Sequence, residues 1–174
     1  MPVYQLDGTQ PSIDESVYVA PSAEIIGDVK IGKLSSAWFN VVIRGDTSPI
    51  RIGNETNIQD LTMCHADPGK PLTIGDRVTV GHRCIMHGCT IEDDVLVGMG
   101  AIIMNGAVIG RGCIVAAGAV ILEDVVIPPY SMVAGSPGKV KKTYGEGIVQ
   151  KLNLSSKVYV DRGRQYLAGG FSEI

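Results

Sequence analysis

Apolar residues recur with a period of six along most of the chain. The first residue of each group of six, here named the leader, is usually isoleucine or valine. Two insertions and a one-residue shortening interrupt the run without ending it. Neither a helical period of 3.6 nor strict alternation explains this spacing. The leaders are Val19, Ile25, Ile31, Ala37, Ile43, Ile52, Ile58, Cys64, Ile74, Val80, Met86, Ile91, Val97, Ile103, Ile109, Val115, Ile121, Ile127 and Val133.

A small or branched residue usually stands four positions after each leader, and glycine often follows the leader directly. This pattern fits a triangular coil in which each hexad forms one flat side, with its leader pointing inward and its small residue near a corner. Three hexads then make one coil, and coils stack at the strand spacing of ~4.8 Å. The sequence therefore predicts an all-β solenoid, a left-handed parallel β-helix of hexapeptide repeats. A β-sandwich of short strands is the alternative, but the regular period disfavours it.

The repeat fades after Val133, where the segment 134–137 reads as a turn. Apolar residues in the tail then follow a helical spacing, although three glycines oppose a helix there. We expect a β-helix domain over residues 1–140 and a helical tail over residues 141–174 that packs on the β-helix. The residues that carry the helical pattern are Ile148, Leu152, Tyr159 and Tyr166.

Composition excludes several partners. The formal net charge is -3, 19% of residues are charged, and the largest basic cluster is Lys139–Lys142, so neither nucleic acid nor a membrane surface is an expected partner. The chain has no apolar run of ~18 residues and no secretory pattern at its start. We therefore expect a cytoplasmic protein whose four cysteines are reduced thiols.

Two of the three histidines occupy equivalent positions in the repeat. His65 directly follows the leader Cys64, and His87 directly follows the leader Met86. Three hexads, hence one full coil, separate the two leaders. The imidazoles should therefore lie on the same face about one strand spacing apart, ~4.8 Å, where they could share one metal ion.

The third histidine, His82, stands two residues after the leader Val80, on the preceding face. It should be unable to complete a site with the other two in its own chain, but a neighbouring chain in a three-fold ring could supply it. Three imidazoles with an open fourth position are typical of catalytic zinc. A lone histidine is more often a surface or interface residue, but three registered histidines favour metal. Cysteine is not an expected ligand: three thiols fall on inward positions, and Cys89 falls on an outward position without an assigned partner.

Polar residues extend both histidine positions by one coil. Arg44 should stack beneath His65, and Asp60 should lie one coil below His82. Arg44 could therefore pair with Asp60 of the neighbour and fix the register of the trimer, while Asp46 could hold the guanidinium within its own chain. A plain interface salt bridge without a catalytic part is an equally open interpretation.

The hexad array, Arg44-Gly45-Asp46, Gln59-Asp60 and the three spaced histidines together resemble the γ-class carbonic anhydrases over about residues 10–140. The resemblance implies a homotrimer that hydrates CO2 reversibly to bicarbonate by a metal-bound hydroxide. It implies Zn2+, or Fe2+ or Co2+, at each subunit interface, with two histidines from one chain and the residue matching His82 from the next. In that family the residue matching Gln59 orients the hydroxide, and Tyr159 matches a tail tyrosine that approaches the site in some members.

The chain departs from the family archetype at two places. Thr47 replaces a glutamate, and the loop 66–71, where the archetype carries a glutamate proton shuttle, has Asp67 as its only acid. Metal binding is therefore better supported than fast turnover. Two other functions stay open: a hexapeptide acyltransferase that uses one histidine as general base, and a metal-binding trimeric scaffold of low activity. Thioester hydrolysis by the same metal site is a further possibility.

Overall fold

The computed structural model describes residues 2–170 of the chain, which form twenty strands and one helix. The helix, α1, covers Ile148–Leu167. The strands are β1 (Val3–Tyr4), β2 (Ser12–Ile13), β3 (Tyr18–Val19), β4 (Glu24–Ile31), β5 (Ser36–Ala37), β6 (Val42–Ile52), β7 (Asn57–Ile58), β8 (Met63–His65), β9 (Leu72–Ile74), β10 (Thr79–Val80), β11 (Ile85–His87), β12 (Thr90–Ile91), β13 (Leu96–Val97), β14 (Ile102–Ile103), β15 (Val108–Ile109), β16 (Ile114–Val115), β17 (Val120–Ile121), β18 (Val126–Ile127), β19 (Ser131–Ala134) and β20 (Lys139–Thr143).

The strands stack in parallel on the three faces of a triangular prism. Face 1 contains β1, β8, β11, β14 and β17, face 2 contains β2, β9, β12, β15 and β18, and face 3 contains β3, β5, β7, β10, β13, β16 and β19. Strands β4 and β6 run through the corner between faces 1 and 2, which joins these two faces into one 12-stranded sheet. The predicted class, a left-handed parallel β-helix of hexapeptide repeats with a C-terminal helix, is confirmed.

The core is the inside of the prism. Every leader predicted from the period of six is buried, and so are the small residues near the corners. Corner hydroxyls bond to carbonyl oxygens of the next coil: Ser35 Oγ donates to Gly53 O (2.7 Å) and Thr56 Oγ1 donates to Gly75 O (2.7 Å). These bonds satisfy polar groups that would otherwise be buried without partners.

The corners have a regular backbone conformation. One residue at each turn has a positive φ, and such residues recur about every six positions, as at Gly106 (φ 70), Gly112 (φ 67) and Gly118 (φ 68). Glycine adopts this left-handed conformation without steric cost, which explains part of the glycine content.

Helix α1 packs on face 3, against β3, β5 and β7. Gly163 is buried in this contact, and a Cβ atom there would lie 3.4 Å from Tyr18 Cβ. The segment before the helix forms β20, which pairs antiparallel with β19, so the predicted division at residue 140 falls inside a strand. Residues 171–174 of the predicted tail lie outside the described residues. The helix within the described range is not of a length and apolarity that could span a membrane.

A charged cluster spans three coils at the corner between faces 2 and 3. The Asp94 side chain is 0% exposed, and its two carboxylate oxygens each meet a guanidinium: Arg77 Nε lies 2.6 Å from Oδ1 and Arg111 Nε lies 2.7 Å from Oδ2. Burial raises the pKa of Asp94, but the hydrogen bonds and charges of the two arginines outweigh burial and lower it. This cluster is complete within one chain.

Candidate metal centre

The predicted histidine pair is present on face 1. Strands β8 and β11 are adjacent and parallel, and His87 lies directly opposite His65. Their rings converge, because His65 Nδ1 and His87 Nε2 are only 3.1 Å apart. Register and imidazole spacing therefore agree with the count of hexads, and both side chains are partly exposed.

The outer ring nitrogens of this pair have other partners. His65 Nε2 lies 3.0 Å from Asp46 Oδ1, and His87 Nδ1 lies 3.0 Å from Asn105 Oδ1. A neutral imidazole carries one N–H, so a ring that donates through its outer nitrogen has a lone pair on its inner nitrogen. Two such lone pairs 3.1 Å apart repel each other, and only a cation, either a proton or a metal ion, relieves the repulsion.

The spacing of the inner nitrogens suits a metal ion. Zinc binds imidazole nitrogen at about 2.0–2.1 Å, so two nitrogens on one tetrahedral zinc lie about 3.3 Å apart, close to the 3.1 Å found here. Among residues 2–170 no group of three His, Cys, Asp or Glu side chains is placed to hold a metal ion. One chain thus offers two converging imidazoles and needs a further ligand.

His82 lies in the turn after β10, at the corner between faces 3 and 1. Its Nδ1 is 2.9 Å from Asp60 Oδ2, and its side chain is 44% exposed. The carboxylate can only accept, so a neutral His82 donates through Nδ1 and presents the lone pair of Nε2 outward. The structure keeps His82 apart from His65 and His87 within one chain. This separation agrees with the prediction from the sequence.

Arg44 and Asp46 form an ion pair within the chain. Arg44 stands one residue after Ile43, which is paired with Cys64, so it lies beneath His65 as predicted. Partial burial raises the pKa of Asp46, but hydrogen bonds from Arg44 and His65 outweigh burial and hold it below its ordinary value. Asp46 is therefore an ionised acceptor that orients both His65 and Arg44.

Gln59 and Tyr159 lie on the side of His82. Gln59 is buried on face 3, and its Nε2 donates to Asn57 Oδ1 over 3.0 Å. Tyr159, on α1, packs against Trp38 with ring centroids 5.5 Å apart and lines a cavity that Asp60 also lines. Burial, and secondarily the charge of Asp60, raise the pKa of Tyr159. The structure thus gathers these residues around Asp60 rather than around the histidine pair.

The sequence analysis missed Asn105 as a partner of His87 and gave Asp67 no contact. Asn105 Nδ2 donates to Asp67 Oδ2 over 2.8 Å. The signal was available, because Ile103 is paired with Met86 and Asn105 therefore lies one coil above, immediately beside the His87 turn.

The expectation that Cys89 points outward is wrong. Cys89 is buried with the other three free cysteines, and burial raises its pKa to about 12. The one-residue shortening of the repeat explains the error. Cys89 stands two residues before the leader Ile91, and this position in a hexad is the inward corner position. A fourth ligand from cysteine is therefore excluded in the described chain, as predicted for the other three thiols.

Comparisons with known proteins agree with this fold. Residues 88–123 match the family described as bacterial transferase hexapeptide (six repeats). A carbonic anhydrase of Geobacillus kaustophilus is 41% identical over 166 residues, which are 95% of this chain and 91% of that protein. The mitochondrial γ carbonic anhydrase 2 of Arabidopsis thaliana is 43% identical over 157 residues, and the match covers 87% of this chain but only 56% of the plant protein.

A solved structure from Bacillus cereus, described as a candidate acetyltransferase, is 40% identical with a TM-score of 0.91, and the match covers 94% of this chain and 95% of that one. The level of identity and the coverage of the bacterial carbonic anhydrase settle the relationship. This chain belongs to the γ-class carbonic anhydrase family of hexapeptide-repeat β-helix proteins.

Proposed function

We propose that this chain is a metal-dependent carbonic anhydrase that interconverts CO2 and bicarbonate at sites shared between the subunits of a homotrimer. The observation that carries the proposal is the convergence of His65 Nδ1 and His87 Nε2 to 3.1 Å while their outer nitrogens are engaged elsewhere. Family membership supports the reaction, since relatives that match over most of the chain include named carbonic anhydrases.

His65 and His87 of one subunit and His82 of the next would hold Zn2+, or Fe2+ or Co2+. The ion would lower the pKa of bound water to about 7, the value known for zinc carbonic anhydrases and not one derived from this chain. In all three imidazoles the ring nitrogen that would not bind the metal meets an acceptor: Nε2 of His65, Nδ1 of His87 and Nδ1 of His82. The acceptor holds each ring and raises its basicity as a ligand.

Exposed apolar side chains support the assembly. Met63 and Ile85 are exposed neighbours on face 1, beside the histidine pair. Leu61 and Met99 are exposed at the corner that carries His82. Large apolar groups of this kind mark interaction surfaces when they cluster. A second copy placed with its His82 corner against face 1 would cover both groups and complete the metal site.

Other residues would serve the reaction without binding the ion. Asp46 holds His65 and Arg44, and Arg44 would pair with Asp60 of the neighbour across the interface. Gln59 would hydrogen-bond an oxygen of the substrate, and Tyr159 would close the side of the site that Asp60 lines. Hydration also releases a proton, and neither Thr47 nor the loop 66–71 offers a glutamate to carry it. We therefore expect turnover to rise with the concentration of an external buffer.

Stopped-flow measurement of CO2 hydration tests the proposal. Protein purified anaerobically and loaded with zinc or iron should accelerate hydration, and the same protein after chelation should not. A rate that does not depend on metal would reject the enzyme. Native mass spectrometry of the same samples should show three chains with close to three metal ions.

Acyl transfer is the second candidate, favoured by the related Bacillus cereus structure described as a candidate acetyltransferase. Calorimetric titration with acetyl-CoA discriminates, because an acyltransferase binds it and the proposed carbonic anhydrase does not. Trimers that contain metal but hydrate no CO2 and bind no acetyl-CoA would instead indicate a scaffold.

A further inference from the structure

The three candidate ligands differ in which group accepts a hydrogen bond from the ring nitrogen that would not bind the metal. His65 and His82 are each held by a carboxylate, Asp46 and Asp60. A carboxylate can only accept a hydrogen bond, so it fixes which ring nitrogen carries the proton. His87 is held by the amide of Asn105, whose two ends are a donor and an acceptor. An amide alone does not fix the tautomer of the histidine.

Asp67 removes this ambiguity. Asn105 Nδ2 donates to Asp67 Oδ2 over 2.8 Å. A flipped amide would turn its oxygen toward a carboxylate and lose this bond, so the carboxylate orients the amide. The Asn105 oxygen must then face His87 Nδ1, which has to carry the proton. His87 Nε2 is left with its lone pair directed toward His65 Nδ1. The other Asp67 oxygen, Oδ1, lies 3.9 Å from His87 Nε2, which is beyond hydrogen-bond distance, so Asp67 bonds to the Asn105 amide and not to the ring.

The loop that carries Asp67 is anchored to the β-helix by hydrogen bonds. Ser48 Oγ donates to the Asp67 carbonyl over 2.7 Å and accepts from Gly69 N over 3.1 Å. Lys70 N also donates to the Asp67 carbonyl over 3.0 Å. The carbonyl group of residue 67 is therefore held by two hydrogen bonds, and its side chain reaches Asn105.

We propose that Asp67 is a positioning residue that sets the tautomer of His87 through the amide of Asn105 and thereby keeps the metal-facing nitrogen unprotonated. The inference rests on the proposed metal site but concerns a property of the metal-free protein. It assigns the short loop a role different from proton transfer, since Asp67 acts through its acceptor character.

The test uses Asp67→Asn in the full chain. An amide at position 67 can accept or donate, so the Asn105 amide becomes free to flip and His87 gains the Nε2–H tautomer. Long-range 1H–15N correlation spectra of metal-free protein with 15N-labelled histidine report the tautomer directly. The wild type should show His87 protonated on Nδ1, and the variant should show the other tautomer or a mixture. Zinc affinity, measured by chelator competition, should fall about 10- to 100-fold.

Two further variants separate orientation from charge and from folding. Asp124→Asn removes the same charge from an exposed residue near the loop. Its side chain contacts Lys70, and only its backbone N–H donates to the Asn105 carbonyl, so this change should alter neither readout. The double variant Asp67→Asn with Asn105→Asp exchanges the two side chains. A carboxylate at position 105 accepts from His87 and from the new amide, so the original tautomer and the zinc affinity should return.

An unchanged tautomer in Asp67→Asn, or a double variant without recovery of the tautomer, overturns the inference. The outcome is distinguishable from failure of the proposed function. If the wild type binds no zinc but the His87 tautomer changes in Asp67→Asn, the metal site is refuted and the positioning role is supported. A wild type that binds zinc and hydrates CO2, with no effect of Asp67→Asn, does the reverse.

Discussion

Two polar clusters of the prism, one at a corner and one on face 1, are built alike but differ in whether the groups that meet are complementary. Around Asp94, a buried carboxylate joins guanidinium groups from the coils on either side, and each of its oxygens has a partner. Around His65 and His87, side chains from neighbouring coils also converge, and the two inner nitrogens face each other at 3.1 Å while their outer nitrogens meet acceptors. The first cluster is complete within one chain, whereas the second is the one for which we propose a metal ion and a ligand from another subunit.

We interpret this difference as one between a structural cluster and the proposed metal site. A buried charge that is fully paired is often no more stabilising than apolar residues of similar volume, but removing one partner is costly. A set of converging lone pairs gives no stability by itself and is useful only when a cation is bound. The two clusters therefore predict opposite consequences of mutation: lost stability in one and lost metal in the other.

The largest effect is expected for His82→Ala. The side chain is partly exposed and outside the core, so the fold should survive, while the proposed metal site would lose one of its three ligands. Zinc content should fall from close to one ion per chain to near zero, with an unchanged circular dichroism spectrum. Elemental analysis measures the loss, and Glu123→Ala, at an exposed position outside both clusters, is the control. Full metal content in His82→Ala would contradict the shared site.

Asp94→Asn should destabilise the fold by about 1.5–3 kcal/mol, the usual contribution of hydrogen bonds to charged groups. The change leaves two guanidiniums beside a neutral amide, but both arginines are partly exposed, so water can solvate them. Unfolding in guanidinium chloride at one fixed protein concentration measures the difference in the free energy of unfolding between wild type and variant. Zinc content should stay at the wild-type level. A variant that loses zinc but not stability would reverse the assignment of the two clusters.

The stability difference between wild type and Asp94→Asn should depend on pH. The native pKa of Asp94 is lowered, whereas the unfolded chain takes up the proton at about 3.9. The stabilisation is therefore complete above this unfolded value and is lost as pH falls through the lower native pKa. Thermal midpoints measured from about pH 6 down to about pH 2 should converge in acid. A constant gap would show that Asp94 acts through packing alone.

The smallest effect is expected for Gly163→Ala, which changes neither cluster. A Cβ atom there would meet Tyr18 Cβ at 3.4 Å, an ordinary contact, and alanine is a better helix former than glycine. We expect stabilisation by about 0.5–1 kcal/mol with unchanged zinc content, seen as a small rise in the thermal midpoint. A fall in the midpoint would mean that α1 cannot shift to accept the methyl group.

The fold could be predicted from the sequence because, in a β-helix, the number of hexads between two residues determines their relative positions. Once the leaders were aligned, the pairing of His65 with His87 and of Asp60 with His82 followed from the number of hexads between them. Cys89 was misplaced where the count lost one residue, since a shift by one exchanges inside and outside.

Side-chain partners were harder to predict. Asn105 could be assigned to its coil, but its bond to His87 depends on a rotamer and on the orientation of Asp67, neither of which the period of six specifies. Likewise, the position of Tyr159 depends on how α1 lies across face 3. A residue that a second subunit would donate makes no contact with its site within a single chain.

Subunit complementation tests the shared metal site most directly. His82→Ala and the double variant His65→Ala with His87→Ala should each bind almost no zinc alone. In mixed trimers formed by co-expression, one interface unites an intact histidine pair with an intact His82, so random mixing restores about a quarter of the wild-type zinc per chain. Recovery of zinc in mixed trimers is the predicted result. Zinc content that stays near zero after mixing, or zinc retained by either variant alone, would contradict the account.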